Sequence, residues 1–254
     1  MTFIEVLILS IVEGITEFLP ISSTGHMILA SYALGIDKTD GLILFEIVTQ
    51  LGATLAIVAL YSKRLLSDRK TLGMVGLAFI PTGVLGLVLY PYIIPLFTNP
   101  MITIVSLIIG GVLLIIFDQW KMRTEIFKSK KLTIPRAIII GTLQCFAFIP
   151  GTSRSAATIL AGMGVGLGRR EAAEFSFLLA IPTMLAASIY ACFKFEGDFS
   201  PGLMWDIALG SVISFIVAYF SVKIFMHFIE RCGLTFFGIY RILFAGLFYL
   251  IFIH

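Results

Sequence analysis

Charged side chains are scarce in this sequence. Asp, Glu, Lys and Arg make up 13% of its 254 residues, against 59% hydrophobic residues and a mean hydropathy of +1.04. A soluble domain cannot bury that much apolar surface, so the chain reads as an integral membrane protein. Cysteine is equally sparse. Cys145, Cys192 and Cys232 form neither an even set nor a metal-binding spacing, which excludes a disulfide framework and leaves buried packing as their expected role. The opening Met1-Thr2-Phe3-Ile4-Glu5 lacks a basic n-region, so the N-terminal segment is expected to remain as structure. The net charge is only +3, and no nucleic-acid partner is expected from it.

Polar chemistry is concentrated instead in one stretch, Glu13-Gly-Ile-Thr-Glu-Phe-Leu-Pro-Ile-Ser-Ser-Thr-Gly-His26. So many hydrogen-bonding groups in an apolar setting are costly unless each finds a partner or a ligand. If the chain before Pro20 is helical, Glu13 and Glu17 share a face, and either one carboxyl keeps its proton or a cation bridges the pair. Pro20 interrupts that helix. Ser22, Ser23 and Thr24 are natural N-cap residues for a second helix through Met27 to Leu34. The break leaves backbone N–H groups free at a helix N-terminus, which is an anion pocket, with His26 one turn inside it. A kinked helix with ordinary Ser and Thr caps is the plainer reading, but it leaves two Glu and a His unexplained in a membrane-like sequence.

Six apolar runs are long enough to span a bilayer, at about 41–60, 72–90, 101–117, 172–193, 203–225 and 235–253. Two further segments, about 2–34 and 138–166, are too polar at their centres for simple spans. Each has room for two half-membrane helices, and both are expected to be re-entrant hairpins. With hairpins that do not cross, the basic loops at 63–70, 118–136, 169–170 and 223–231 fall on one side and hold 14 of the 18 Lys and Arg. Lys38 and Lys194 fall on the other. By the positive-inside rule the crowded side is cytoplasmic, which puts both termini and the mouth of the first hairpin outside. Setting Pro20 on Pro150 matches Phe18-Leu19 with Phe148-Ile149, Ser23 with Ser153 and Phe45 with Phe175, an offset of 130. Each half, about 1–120 and 133–254, then holds one hairpin and three spans, and an odd number of crossings inverts one half relative to the other. The expected architecture is one all-α membrane domain, six transmembrane helices plus two re-entrant hairpins in inverted repeat, with the hairpin tips meeting near the midplane.

At the second tip, Pro150-Gly-Thr-Ser-Arg-Ser155, Arg154 sets the sign of the ligand. An Arg near the bilayer centre costs about 3 kcal/mol or more without a partner. Its fork suits phosphate oxygens, and two opposed helix N-termini add positive potential. The site is built for an anion, with Ser22, Thr24, Thr152, Ser153 and Ser155 as further donors. The competing reading is a structural ion pair of Arg154 with Glu13 or Glu17. Gln144 is either a polar support behind the site or a packing amide, and Glu46 and Gln50 are candidates to steady His26 or a cation. Glu171 and Glu174 are expected at a solvated helix start, and His227 and His254 as inert residues at membrane edges. The glycine run 162–168 is expected to allow close helix packing, because no Lys follows at the spacing a phosphate loop needs.

The two motifs, together with Phe45-Glu-Ile-Val-Thr-Gln-Leu-Gly52, Glu174-Phe-Ser-Phe-Leu-Leu-Ala-Ile-Pro182 and Tyr240-Arg241, closely resemble the bacitracin-resistance type undecaprenyl-diphosphatases, and the similarity covers nearly the whole chain. The resemblance implies a phosphatase of the bacterial inner (plasma) membrane that converts undecaprenyl diphosphate to undecaprenyl phosphate. It would recycle the lipid carrier of peptidoglycan synthesis at a metal-dependent site open to the outer face. Carried over residue by residue, the family's functional positions are Glu13, Glu17, Ser23, His26, Ser153, Arg154 and Thr158. One departure is Ala156, where Gly is expected.

On that footing the reaction is phosphoanhydride hydrolysis. Arg154 and the tip hydroxyls hold the diphosphate, and Glu13 and Glu17 hold a divalent cation, Mg²⁺ or Ca²⁺. His26 is the expected nucleophile, and Ser23 activated by His26 is the alternative. The expected partners are a polyprenyl diphosphate lipid and the bilayer, and a homodimer is left open. A transporter or flippase for an anionic lipid is the rival, because broken helices in inverted repeat describe secondary transporters equally well. The acid lipid-phosphatase superfamily, suggested by Ser-Thr-Gly-His, needs a second His with a downstream Asp. Only His227 is on offer, far from any such pattern.

Overall fold

In lipid no water satisfies a free backbone group, so each N–H and C=O must pair within its own segment. The structure is a computed structural model describing residues 1–123 and 131–253, and every regular element among those residues is helical. Helix α1 (Phe3–Thr16) starts at a capping box, in which Thr2 Oγ1 accepts from Glu5 N–H and Glu5 Oε2 accepts from Thr2 N–H. It ends four residues before Pro20, and α2 (Ser23–Ala33) begins beyond the turn. Then follow α3 (Asp40–Leu60), a short α4 (Ser62–Ser67), α5 (Arg69–Ile93) and α6 (Pro100–Arg123). The second part of the chain holds α7 (Ile134–Gln144), α8 (Arg154–Gly164), α9 (Arg169–Lys194), α10 (Pro201–Cys232) and α11 (Thr235–Phe248).

Six helical segments among the described residues are long and apolar enough to cross a membrane: Asp40–Leu60, Arg69–Thr98, Pro100–Trp120, Arg169–Lys194, Pro201–Ile229 and Thr235–Ile253. They coincide with the six expected runs, five of them extended by one to eight residues at an end. This is a multi-pass membrane protein. By contrast, α1, α2, α7 and α8 have 14, 11, 11 and 11 residues. At about 1.5 Å per residue α1 reaches about two-thirds, and the other three about half, of a hydrocarbon core some 30 Å thick. These short helices pack in pairs, α1 on α2 and α7 on α8, while α1 also lies on α10 and α7 on α5. Helix α3 packs on both α9 and α10, and α6 pairs with α11.

Close approach rests on glycine. A Cβ on Gly141 would lie 1.8 Å from the Ala78 carbonyl oxygen and one on Gly52 2.6 Å from Ser211 Cα, so α7 meets α5, and α3 meets α10, backbone against backbone. Within the glycine run 162–168 it is Gly162 that allows close packing, since a Cβ there would meet Ala172 Cβ at 2.9 Å where α8 crosses α9.

The two short-helix pairs share local geometry. Ser22 and Ser153 both take left-handed φ, 74° and 76°, immediately before α2 and α8. Gly35 and Gly166 follow those helices with φ of 68° and 100°. All these correspondences fall at an offset of 131, one residue away from the Pro20–Pro150 register. Ser22, not Ser23, is the counterpart of Ser153, and Ser23 is the counterpart of Arg154. The left-handed turn sets the register, whereas a proline needs only a φ that its neighbours also satisfy.

Several expectations need correction or fall elsewhere. Cys145 is half-buried and Cys192 exposed, because a thiol is only weakly polar and needs no full cover in an apolar chain; the side chain of Cys232 lies outside the described residues. His227 is exposed, and His254, Lys128 and Lys130 lie outside the described residues. Glu171 accepts from Gly168 N–H at 3.1 Å, and Glu174 pairs with Arg64 and Arg170, so both sit at the start of α9 as expected.

Candidate active site

The site is assembled where the turn before α2 meets the turn before α8. Ser22 Oγ accepts from Gly25 N–H at 3.2 Å, and Ser153 Oγ accepts from Ala156 N–H at 3.1 Å, so each serine caps the helix that follows it. A left-handed conformation in a residue with a Cβ stores on the order of 1–3 kcal/mol of strain and survives only where the surroundings over-determine it. Ser155 Oγ supplies part of that constraint by donating to Leu19 O at 2.7 Å, which ties the second tip to the first.

Glu17 is the hub. Its Oε2 accepts from Ser23 Oγ at 2.5 Å and its Oε1 from Arg154 Nη2 at 2.7 Å. Arg154 Nη1 donates to Ser176 O at 3.0 Å, and the guanidinium lies over the Phe18 ring, 5.6 Å from its centroid. These bonds occupy two of the five guanidinium N–H groups, and the Nε–H has no partner among the described residues. Glu13 is fully buried next to this hub. Neither of its oxygens receives a hydrogen bond from a donor group, and the Glu17 carboxylate is its leading charged neighbour, so only a shared proton or a cation can join the two. No three metal-ligating side chains converge among the described residues. A divalent cation here would therefore rest on Glu13, Glu17 and oxygens of the substrate, a donor set that hard cations accept.

Glu17, Ser22, Ser23, Thr24, Ser153 and Arg154 form the polar floor of a cavity of about 250 Å³. Its walls are apolar and come from α3, α5, α9 and the chain after α7, with Ile43, Ile47, Leu87, Phe148, Met184 and Ala187 among them. Gln50 and Gln144 also line it. Gln144 Nε2 donates to Thr82 Oγ1 at 2.9 Å and Thr183 Oγ1 at 3.2 Å. Each threonine hydroxyl is already donating to a carbonyl, so each oxygen is free to accept.

Other expected site residues stand off the cavity. His26 donates from Nδ1 to Ser22 O at 2.8 Å, so its Nε2 accepts from the Tyr240 hydroxyl at 2.9 Å, and its ring stacks on Phe244 at 4.2 Å. The Ser23 hydroxyl meets Glu17 and makes no bond to His26. Glu46 pairs with Lys38 at 2.8 Å and accepts from Ser31 Oγ at 3.0 Å. Thr158 is buried inside α8, bonded to Arg154 O and Ser176 Oγ. Thr152 enters through its carbonyl, which accepts from Arg241 at 3.0 Å.

Tyr240, Arg241, Ser176, Thr82 and Thr183 were not singled out as site residues from the residues alone. For Arg241 the signal was present, since an ionisable residue in the middle of an apolar span is a functional candidate by default. Ser176 and Tyr240 lie in stretches that carry the family resemblance, whereas Thr82 and Thr183 are ordinary side chains in apolar helices that only tertiary contacts distinguish.

The model of the family described as "Bacitracin resistance protein BacA" matches residues 6–247. Among curated proteins, the undecaprenyl-diphosphatase of Sulfurihydrogenibium sp. (strain YO3AOP1) is 46% identical over 252 residues, covering 98% of this chain and 99% of that protein. The undecaprenyl-diphosphatase of Aquifex aeolicus is 47% identical, covering 98% of each chain, and that of Persephonella marina is 45% identical over the full length of both. With the match running through both tips, the hub and α11, this chain belongs to the bacitracin resistance protein BacA family.

Proposed function

We propose that the chain removes the terminal phosphate of undecaprenyl diphosphate, giving undecaprenyl phosphate and inorganic phosphate. The observation that carries the reading is the Glu17–Ser23–Arg154 cluster at the floor of an apolar-walled cavity in a membrane protein. The floor suits a diphosphate and the walls suit the first units of a prenyl tail. That activity serves lipid-carrier recycling for peptidoglycan synthesis and, through it, bacitracin resistance. A flippase is not favoured, because the relatives are named as phosphatases and the hub presents a hydroxyl paired with a carboxylate.

The geometry supports Ser23 over His26 as nucleophile. Ser23 lines the cavity and its hydroxyl already donates to Glu17, whereas His26 does not line it and both its ring nitrogens are engaged elsewhere. In the first step Oγ attacks the terminal phosphorus and its proton passes to Glu17. The phosphoanhydride P–O bond breaks, and undecaprenyl phosphate leaves. Water then attacks the phosphorus of the phosphoserine, the Oγ–P bond breaks, Glu17 returns its proton to Ser23 Oγ, and the water's oxygen leaves with both its protons as dihydrogen phosphate. Arg154, with its unused N–H groups, neutralises charge on the phosphoryl oxygens, helped by the positive ends of α2 and α8. A divalent cation, Mg²⁺ or Ca²⁺, held by Glu13 and Glu17 would add electrostatic neutralisation of the diphosphate.

The same reading assigns the short helix pairs α1–α2 and α7–α8 to two re-entrant hairpins within one polytopic domain. The two halves, about 1–120 and 133–254, form an inverted repeat in the inner membrane, with the site open to the outer side. Half-membrane helix lengths, the recurrence at 131 and the matched packing of α1 on α10 and α7 on α5 support it. A homodimer is compatible with this arrangement.

Release of inorganic phosphate from undecaprenyl diphosphate by the purified protein in detergent, with and without a chelator, tests the function. Release that stops with chelator and returns with Mg²⁺ or Ca²⁺ is expected. No release under any metal condition would refute it.

A further inference from the structure

Arg241 sits in the middle of α11, fully buried, with no carboxylate partner among the described residues. All five of its N–H groups donate to main-chain carbonyls. Nε donates to Leu107 O at 3.2 Å, and Nη1 to Pro20 O at 3.3 Å and Thr152 O at 3.0 Å. Nη2 donates to Ser106 O at 3.2 Å and Gly151 O at 2.6 Å. A guanidinium buried in a membrane segment is compensated either by an opposite charge or by backbone carbonyls, and here carbonyl dipoles alone do it. Three of the five carbonyls belong to the two tips and the other two to α6. The guanidinium is thus a rigid planar joint between the turn that carries Glu17 and Ser23 and the turn that carries Arg154.

We propose that Arg241 is a positioning residue for the phosphatase site: it fixes the two tips against each other so that Ser23 and Arg154 reach the same phosphoryl group. It does not line the cavity and acts only through the tip backbones. In a trans peptide the N–H opposes the C=O, so holding the Thr152 carbonyl also fixes the direction of the Ser153 N–H, at the left-handed residue before α8. The adjacent Tyr240 holds His26, so α11 fixes a second part of the first tip as well.

The neighbouring helix provides a way to disturb Arg241 without touching its charge or either tip. A Cβ on Gly110 of α6 would lie 2.2 Å from Nη2 and 2.7 Å from Cζ, so Gly110→Ala must push the guanidinium aside. Because a misplacement of about 1 Å can cost roughly 100-fold in rate, we expect kcat to fall about 10- to 100-fold with KM within about threefold. Arg241→Lys, which keeps the charge but has three N–H groups, should behave alike. Combining Gly110→Ala with Arg154→Lys should add less than about threefold, because alignment to a missing fork has no value. The inference rests on the proposed phosphatase function, so an activity-independent readout goes with it. Hydrogen–deuterium exchange at residues 18–25 and 149–156 should quicken in both variants. Unchanged exchange at the tips would overturn the inference, and so would additive loss in the double variant, or a lowered melting temperature with normal kcat per folded protein. Faster tip exchange in a protein whose wild type releases no phosphate would sink the phosphatase reading while leaving the joint in place.

Discussion

Replacing Arg154 with lysine keeps the positive charge and removes the fork, which makes it the sharpest probe of how the site handles phosphate. In the structure one arm of the guanidinium is committed to Glu17 Oε1 at 2.7 Å and the other reaches Ser176 O at 3.0 Å, with the plane supported by Phe18. An ammonium can follow Glu17 and preserve the buried ion pair, so the fold is expected to survive. It cannot at the same time span to Ser176 and offer two parallel N–H groups to a phosphoryl oxygen pair. Hydrogen bonds to charged groups are worth about 1.5–3 kcal/mol each, and the lysine recovers one of the two, leaving a net loss of about 1.5–3 kcal/mol in transition-state stabilisation. At 1.36 kcal/mol per decade, kcat/KM should fall roughly 10- to 160-fold. Phosphate release from undecaprenyl diphosphate measures it, with size-exclusion profile and melting temperature as controls for folding. A variant within about threefold of wild type, with a normal profile, would refute the clamp and leave Arg154 as the structural partner of Glu17.

Rapid quench with labelled substrate should trap a phosphoenzyme that is stable in acid and labile in base, absent in Ser23→Ala and still present in His26→Ala. An acid-labile, base-stable species lost in His26→Ala would transfer the nucleophilic role to the histidine. Gly141→Ala should lower the melting temperature sharply, by at least several degrees, because the new methyl meets the Ala78 carbonyl oxygen at 1.8 Å where α7 crosses α5; an unchanged melting temperature would show that the helices part without penalty. In a background with Cys145, Cys192 and Cys232 replaced by serine, Asn99→Cys should react with an impermeant thiol reagent added outside intact cells and Ser67→Cys should not. The opposite pattern would reverse the proposed orientation.

The sequence alone determined the parts that follow from counting and chemistry. Apolar length fixed six spans. The polar stretches around Pro20 and Pro150, which no simple span can hold, located the two tips, and an arginine in an apolar setting pointed to an anionic ligand. These are local properties, because a span needs only its own residues to satisfy its backbone.

What only the tertiary structure decided is which groups meet. Glu13 and Glu17 are equivalent by spacing. Folding gives Glu17 both Ser23 and Arg154 and leaves Glu13 without a donor. His26 and Ser23 are alternatives for one role by sequence, and it is the fold that bonds the second imidazole nitrogen to Tyr240, more than 200 residues away, and the Ser23 hydroxyl to Glu17. Matching prolines suggested a register one residue away from the one set by the left-handed Ser22 and Ser153, since a backbone angle is not written in residue type. Arg241 is the plainest case. Its five acceptors are main-chain carbonyls, which every sequence carries at every position, so their convergence on one side chain is a property of the assembled chain and of nothing shorter.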